Sequence, residues 1–148
     1  MRVETVAETA ATRLVRGRLT VPTHGEGFAD LSRPLHDWLA AIAPGEGMLS
    51  AFVRHTTASL VIQENADPDV RADLLTALAR LAPRRGDYRH ALEGPDDMPA
   101  HIKAVLCGAN VEMPVSGGLL TGTWQSLYLL EHRAGHRNRD VILTYVGS

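Results

Sequence analysis

A chain of 148 residues is long enough to bury one core and too short for two ordinary ones, so it reads as a single domain over residues 1–148. A net charge of -2 supplies no field to gather nucleic acid or an anionic membrane, and no run approaches the roughly 20 apolar residues of a membrane-spanning helix. The lone Cys107 cannot form an internal disulfide, and the first residues, MRVETVAETAATRL, lack the apolar stretch of a secretory signal; together they point to the reducing cytoplasm.

The pattern predicts strands over Val3 to Glu8 and Thr12 to Val21, where Leu14 alternates with charged and small neighbours. After THGEG, the segment FADLSRPLHDWLAAIA places Leu31, Leu35, Trp38, Leu39 and Ile42 at helical spacing, and Pro44-Gly45 stops it. Two short strands, MLSAFVRH and ASLVIQEN, follow with only Thr56 and Thr57 between them. Pro68 then opens a second helix with Val70, Leu74, Leu75, Leu78 and Leu81 in one stripe. A third helix begins near Asp97 and Pro99, read as cap and first turn, and docks through Ile102, Val105 and Leu106. VEMPV, GGLLTG, TWQSLYLLEH and DVILTYVG complete the chain as closely spaced strands. Strands at both ends with helices in the middle predict an α+β domain with a mainly antiparallel core and about three helices, not a doubly wound sheet. Phosphate-binding glycine loops (GxGxxG, GxxxxGK[ST]) and the GxSxG nucleophile elbow are absent, and Cys107 at an apolar helix end reads as a core thiol.

Strand parity puts His55 on the face of Leu49, Ala51 and Val53, and Glu64 on the face of Ala58, Leu60 and Ile62. Ionisable groups that end apolar faces sit at the rim of the core, where a ligand or acid–base role fits. The bland alternative is a histidine satisfied by the backbone and a glutamate reaching outward. The stretch YRHALEGPDDMPAHIK gathers His90, Glu93, Asp96, Asp97, His101 and Lys103. A fold-back at Gly94-Pro95 could place His90, a carboxylate and His101 around one cation, although the spacing matches no standard zinc motif. The alternative is that the aspartates only cap a helix and the histidines are surface groups. Lys103 is the only lysine in a chain otherwise basic through arginine, a hint that an ammonium is wanted there. Gln125, Glu131 and Arg133 share a strand face with Leu127 and Leu129, as pocket lining, as a subunit contact or as the polar ends of an edge strand. Arg133, Arg137 and Arg139 could bind phosphate or lie exposed on a hairpin; His24, His36 and His136 have no sharp context.

Taken together, HTTASLVIQENADPDVRADL, YRHALEGPDDMPAHIK, the PV of EMPVSGG and GTWQSLYLLEHR closely resemble the YjbQ family of secondary thiamine-phosphate synthase enzymes, over nearly the whole chain. The resemblance implies a compact domain with a β-sandwich-like core, usually a homotrimer. It implies coupling of a pyrimidine diphosphate to a thiazole phosphate with release of diphosphate, as a secondary activity. By motif position the family's polar residues fall on His55, Thr57, Ser59, Glu64, Asn65 and Asp67, then on His90, Glu93, Gly94, Asp97, His101 and Lys103, and finally on Gln125 and Glu131. Gln63 stands where an asparagine is common, and the tail HRAGHRNRD matches loosely.

These readings combine into one expected site. His90 and His101, with Glu93 or His55, would hold a divalent metal, zinc if nitrogen donors dominate or magnesium if oxygens do. Lys103 and an arginine would steady phosphate oxygens, Glu64 would orient or act as base, and Asn65 and Gln125 would hydrogen-bond a planar heterocycle, with Asp97 and Glu131 in the same site. The partner would be a small phosphorylated metabolite. A metal-dependent hydrolase and a non-catalytic metabolite- or metal-binding protein use the same pocket and are the alternatives.

Overall fold

The computed structural model describes all 148 residues. Its elements are β1 (Arg13–Thr23), β2 (Gly27–Asp30), α1 (Ser32–Ile42), β3 (Glu46–Val53), β4 (Ala58–Glu64), α2 (Pro68–Leu81), α3 (Asp97–Cys107), β5 (Asn110–Ser116), β6 (Gln125–Glu131) and β7 (Arg137–Gly147). Two antiparallel sheets form, ordered β1-β7-β3-β5 and β2-β6-β4.

Period-two alternation builds the core between them. Leu49, Ala51 and Val53 of β3, Val141, Leu143 and Tyr145 of β7, and Met113 and Val115 of β5 face inward from the larger sheet. Ala58 and Leu60 of β4 and Leu127 and Leu129 of β6 face them from the smaller one. From α1, Leu35 and Leu39, with Leu31 just before it, fill the same core as the helical stripe predicts. Trp38 lies on β1 at Gly17, where a Cβ would come within 2.9 Å of the indole; this strand glycine makes room for a ring. The outer face of the smaller sheet is covered by α2 and α3, with Leu74, Leu78 and Cys107 around Phe28, Val61 and Leu130.

Several expectations are corrected. Residues before Arg13 form no strand; the β1–β7 ladder starts at Arg13, opposite Gly147. In β1 the inward residues are Val15, Leu19 and Val21, while Leu14 points outward. Phe28 to Asp30 pair with β6 instead of starting α1; Asp30 accepts from the Ser32 amide at 2.8 Å and breaks the strand from the helix. GGLLTG makes only an isolated bridge between Leu119 and Val115. The strands β3 and β4, adjacent in sequence, belong to different sheets, so the His55–Thr57 connection crosses from one layer to the other.

Candidate functional site

The site is built where that crossing meets the start of α3. Gly94, at φ +106, takes a conformation other residues rarely adopt, and its carbonyl accepts from the Asp97 amide at 3.3 Å. The turn folds the preceding loop back, so that His90 Nε2 lies 2.6 Å from Asp97 Oδ2. Within α3, Asp97 and His101 are four residues apart and therefore share a face. His101 Nε2 is 3.5 Å from the same carboxylate oxygen. The two rings are 5.5 Å apart and steeply inclined. Asp97 is 1 % exposed, whereas His90 and His101 keep 43 % and 33 % of their side chains open. The result is a buried carboxylate under two accessible imidazoles.

Asp97 is held from behind. Its Oδ1 accepts from Arg133 Nη1, while Arg133 Nε donates to Asp96 Oδ2 at 2.9 Å and Nη2 to the Glu93 carbonyl at 2.8 Å. Asp96 also accepts from the Ala134 amide at 2.8 Å. Burial pushes the Asp96 carboxyl up, but the Arg133 hydrogen bond and the backbone donors outweigh it and hold the group below its usual range. The residue just before α3 is thus Asp96, and neither it nor Asp97 caps the helix with its side chain. Both are turned to Arg133, which corrects the capping reading of Asp97.

The ligand atoms of His90, Asp97 and His101 all lie within 4.8 Å of one another. Two imidazole nitrogens and one carboxylate oxygen, open on one side, fit zinc or a similar borderline transition metal and suit magnesium poorly. The carboxylate of this set is Asp97 and not Glu93. The Glu93 side chain is exposed and lies 3.8 Å from Arg133 Nη1, so its carboxylate turns toward the guanidinium.

The remaining candidates separate from this cluster. His55, two residues past the end of β3, accepts the Asp140 amide on Nε2 at 2.9 Å; it lines a cavity with His101 but is not a member of the triad. Burial, reinforced by Arg139, holds its imidazole below the ordinary histidine value. Lys103 is buried, and its ammonium is taken by Glu26 at 2.7 Å, which Arg84 also reaches at 2.7 Å; it ties α3 to the loop between β1 and β2. Glu131 is 1 % exposed and accepts from Thr23, the Arg133 amide and Arg139. Burial raises its pKa, but the Arg139 hydrogen bonds prevail and lower it, so it is a brace in the structure. Glu64 and Gln125 pair across β4 and β6 at the end opposite Ala58 and Glu131, about 20 Å away along the strand. Asn65 is beside them, its amide donating to Ser126 Oγ and the Thr123 carbonyl at 3.2 Å.

Three arrangements pair residues that the sequence does not bring together. Arg133 reads as one of several arginines, yet it organises the whole aspartate pair. His132 and Ser59, both fully buried, share a 2.8 Å hydrogen bond, and burial pushes this imidazole down to about 4. His24 and His136, 112 residues apart, meet Nδ1 to Nδ1 at 2.6 Å on the surface.

A family model described as UPF0047 protein YjbQ-like matches residues 17–148. UPF0047 protein YjbQ of Escherichia coli O157:H7 is 44% identical over 131 residues, covering 87% of this chain and 95% of the relative. A UPF0047 protein of Synechocystis is 42% identical over 131 residues, 87% of this chain and 89% of its own. Among solved structures, a hypothetical protein from Aeropyrum pernix K1 superposes with a TM-score of 0.83 at 30% identity, over 90% of this chain and 99% of that one. A conserved hypothetical protein from Thermus thermophilus gives 0.75 at 40% identity, over 86% and 97%.

Proposed function

The chain belongs to the UPF0047 YjbQ-like family, and we propose that it is a metal-dependent transferase of small phosphorylated metabolites centred on His90, Asp97 and His101. In the reading that the family resemblance implies, it couples a pyrimidine diphosphate to a thiazole phosphate, as a secondary activity. The thiazole nitrogen forms a bond to the pyrimidine's methylene carbon, the carbon–oxygen bond breaks, and diphosphate leaves with the electron pair. The observation that carries the proposal is the triad itself, because two open imidazoles above a buried, arginine-held carboxylate offer three ligand atoms to one ion and do not cap the helix. His90, Asp97 and His101 would hold a divalent ion, which would supply positive charge for a leaving diphosphate.

The chain's own residues then have definite tasks. Asp97 keeps its orientation through Arg133, so its free oxygen faces the histidines. His101 presents the centre to the adjoining cavity. Glu64, Asn65 and Gln125, at the far end of β4 and β6, would join this centre only from a neighbouring copy, in the homotrimer that the family resemblance implies.

Purified protein is assayed for thiamine phosphate from the two precursors, metal-stripped and zinc-loaded, beside His101→Ala. Metal-dependent product absent from the variant supports the proposal; no product in any form overturns the transferase reading, and turnover of one substrate without the other assigns hydrolysis instead. Sharing is tested by mixing inactive His101→Ala and Glu64→Gln chains through unfolding and refolding. Random reassembly returns about a quarter of the wild-type activity if sites lie between copies, and none if each chain works alone.

A further inference from the structure

A concavity of about 600 Å3 lies between the β3–β4 crossing and α3. Its walls are mostly apolar: Phe52, Val53, Ala58, Ala104, Val105 and Ala109. Volume and lining both fall in the range of small-molecule sites, which combine apolar walls with a few directed polar groups. Arg54 stands exposed at the rim, and His101 belongs to both the cavity and the triad.

His55 supplies the directed group. A backbone N–H can only donate, so the Asp140 amide at 2.9 Å makes His55 Nε2 an acceptor. In the neutral ring the hydrogen then sits on Nδ1, and Nδ1 makes no hydrogen bond within the chain. Burial and the nearby Arg139 favour that neutral form. His55 therefore lines the cavity as a ring of fixed tautomer whose Nδ1–H is left to donate, beside small apolar side chains. Alanines at positions 58, 104 and 109 leave room for a flat group instead of filling it.

We propose that this cavity binds the planar heteroaromatic ring of the substrate, with the His55 Nδ1–H donating to an acceptor atom on the ring edge and the substrate's anionic arm reaching past His101. Both the heteroaromatic ring and its anionic arm rest on the function proposed above, while occupancy of the cavity is read without turnover. Within one chain the Asn65 amide is engaged with Ser126 and the Gln125 oxygen with the Gly122 amide, so the ring contact proposed for this cavity is His55, and Asn65 and Gln125 would add to it only from the neighbouring copy.

The test uses metal-free, full-length protein with labelled methyl groups, titrated with methylthiazole, aminomethylpyrimidine and toluene. Both heteroaromatics should shift the methyl signals of Ala58, Ala104, Val105 and Ala109 in a saturable way. His55→Phe should weaken them about tenfold, the loss expected of one hydrogen bond, without weakening toluene. Ala104→Phe, at a half-buried helix position, should abolish binding of all three and keeps the test open if His55→Phe does not fold. The inference is overturned if the heteroaromatics leave these methyls unmoved at millimolar concentration, if His55→Phe weakens toluene equally, or if Ala104→Phe binds as before. Because no metal or turnover enters, its failure and a failure of the transferase assay are separate results.

Discussion

Replacing Arg133 with leucine tests how the buried carboxylate is held. Arg133 is 8 % exposed and Asp97 1 %, and the guanidinium reaches Asp97, Asp96 and the Glu93 carbonyl at once. Removing one partner of a buried pair typically costs about 3–5 kcal/mol. Asp96 keeps its Ala134 donor and Asp97 its contact with His90, so the lower end, about 3 kcal/mol, is expected here. The effect on metal is separate: loss of a residue that orients a ligand lowers affinity about 10–100-fold. Urea denaturation of the metal-free protein measures the first quantity, and zinc titration against a competing chelator measures the second. Arg133→Lys, which restores charge without the fork, should recover part of the stability and less of the affinity. Stability lost with zinc affinity unchanged would refute the reasoning, since Asp97 would then be braced for folding alone and not as a ligand.

Glu131→Gln leaves the Arg139 charge buried without its partner, and thermal unfolding should show a loss of about 3–5 kcal/mol; a loss below about 1 kcal/mol would mean that the network is dispensable. His132 gives a pH dependence of known sign. Its imidazole stays neutral down to about 4 in the folded chain, whereas an unfolded histidine takes its proton near 6.5. The unfolded state therefore binds more protons in that window, and stability falls as pH drops from about 6.5 toward 4, by up to about 3 kcal/mol from this group. His132→Gln should remove most of that slope in denaturant melts at successive pH values; an unchanged slope would place the proton uptake elsewhere.

What could be read beforehand divides along a physical line. Periodicity exposes elements that bury a face by themselves, so the stripe of Leu31, Leu35 and Leu39 and the alternation of β3 and β7 were legible. It fails where pairing decides: Phe28 to Asp30 continue a helical pattern but lie beside β6, whose backbone groups they satisfy. The same holds in the site. His90 and His101 were visible as a pair because a short loop and one helical turn bring them together locally. The identity of their carboxylate was not, because Asp97 and Glu93 are equally near in sequence, and only Arg133, 36 residues from Asp97, sorts them. Lys103 shows the converse. Its uniqueness hints that an ammonium is wanted there, and the partner that takes it, Glu26, lies 77 residues away in sequence.

The central claim is that His90, Asp97 and His101 hold a metal, and the most direct measurement is the metal content of untreated protein combined with anomalous scattering from its crystals. Untreated protein should carry close to one zinc or similar transition ion per chain, with anomalous density bounded by His90 Nε2, His101 Nε2 and the Asp97 carboxylate, lost in His101→Ala. Protein that contains no such ion and takes up none, or an ion held only at the His24–His136 pair, would contradict it.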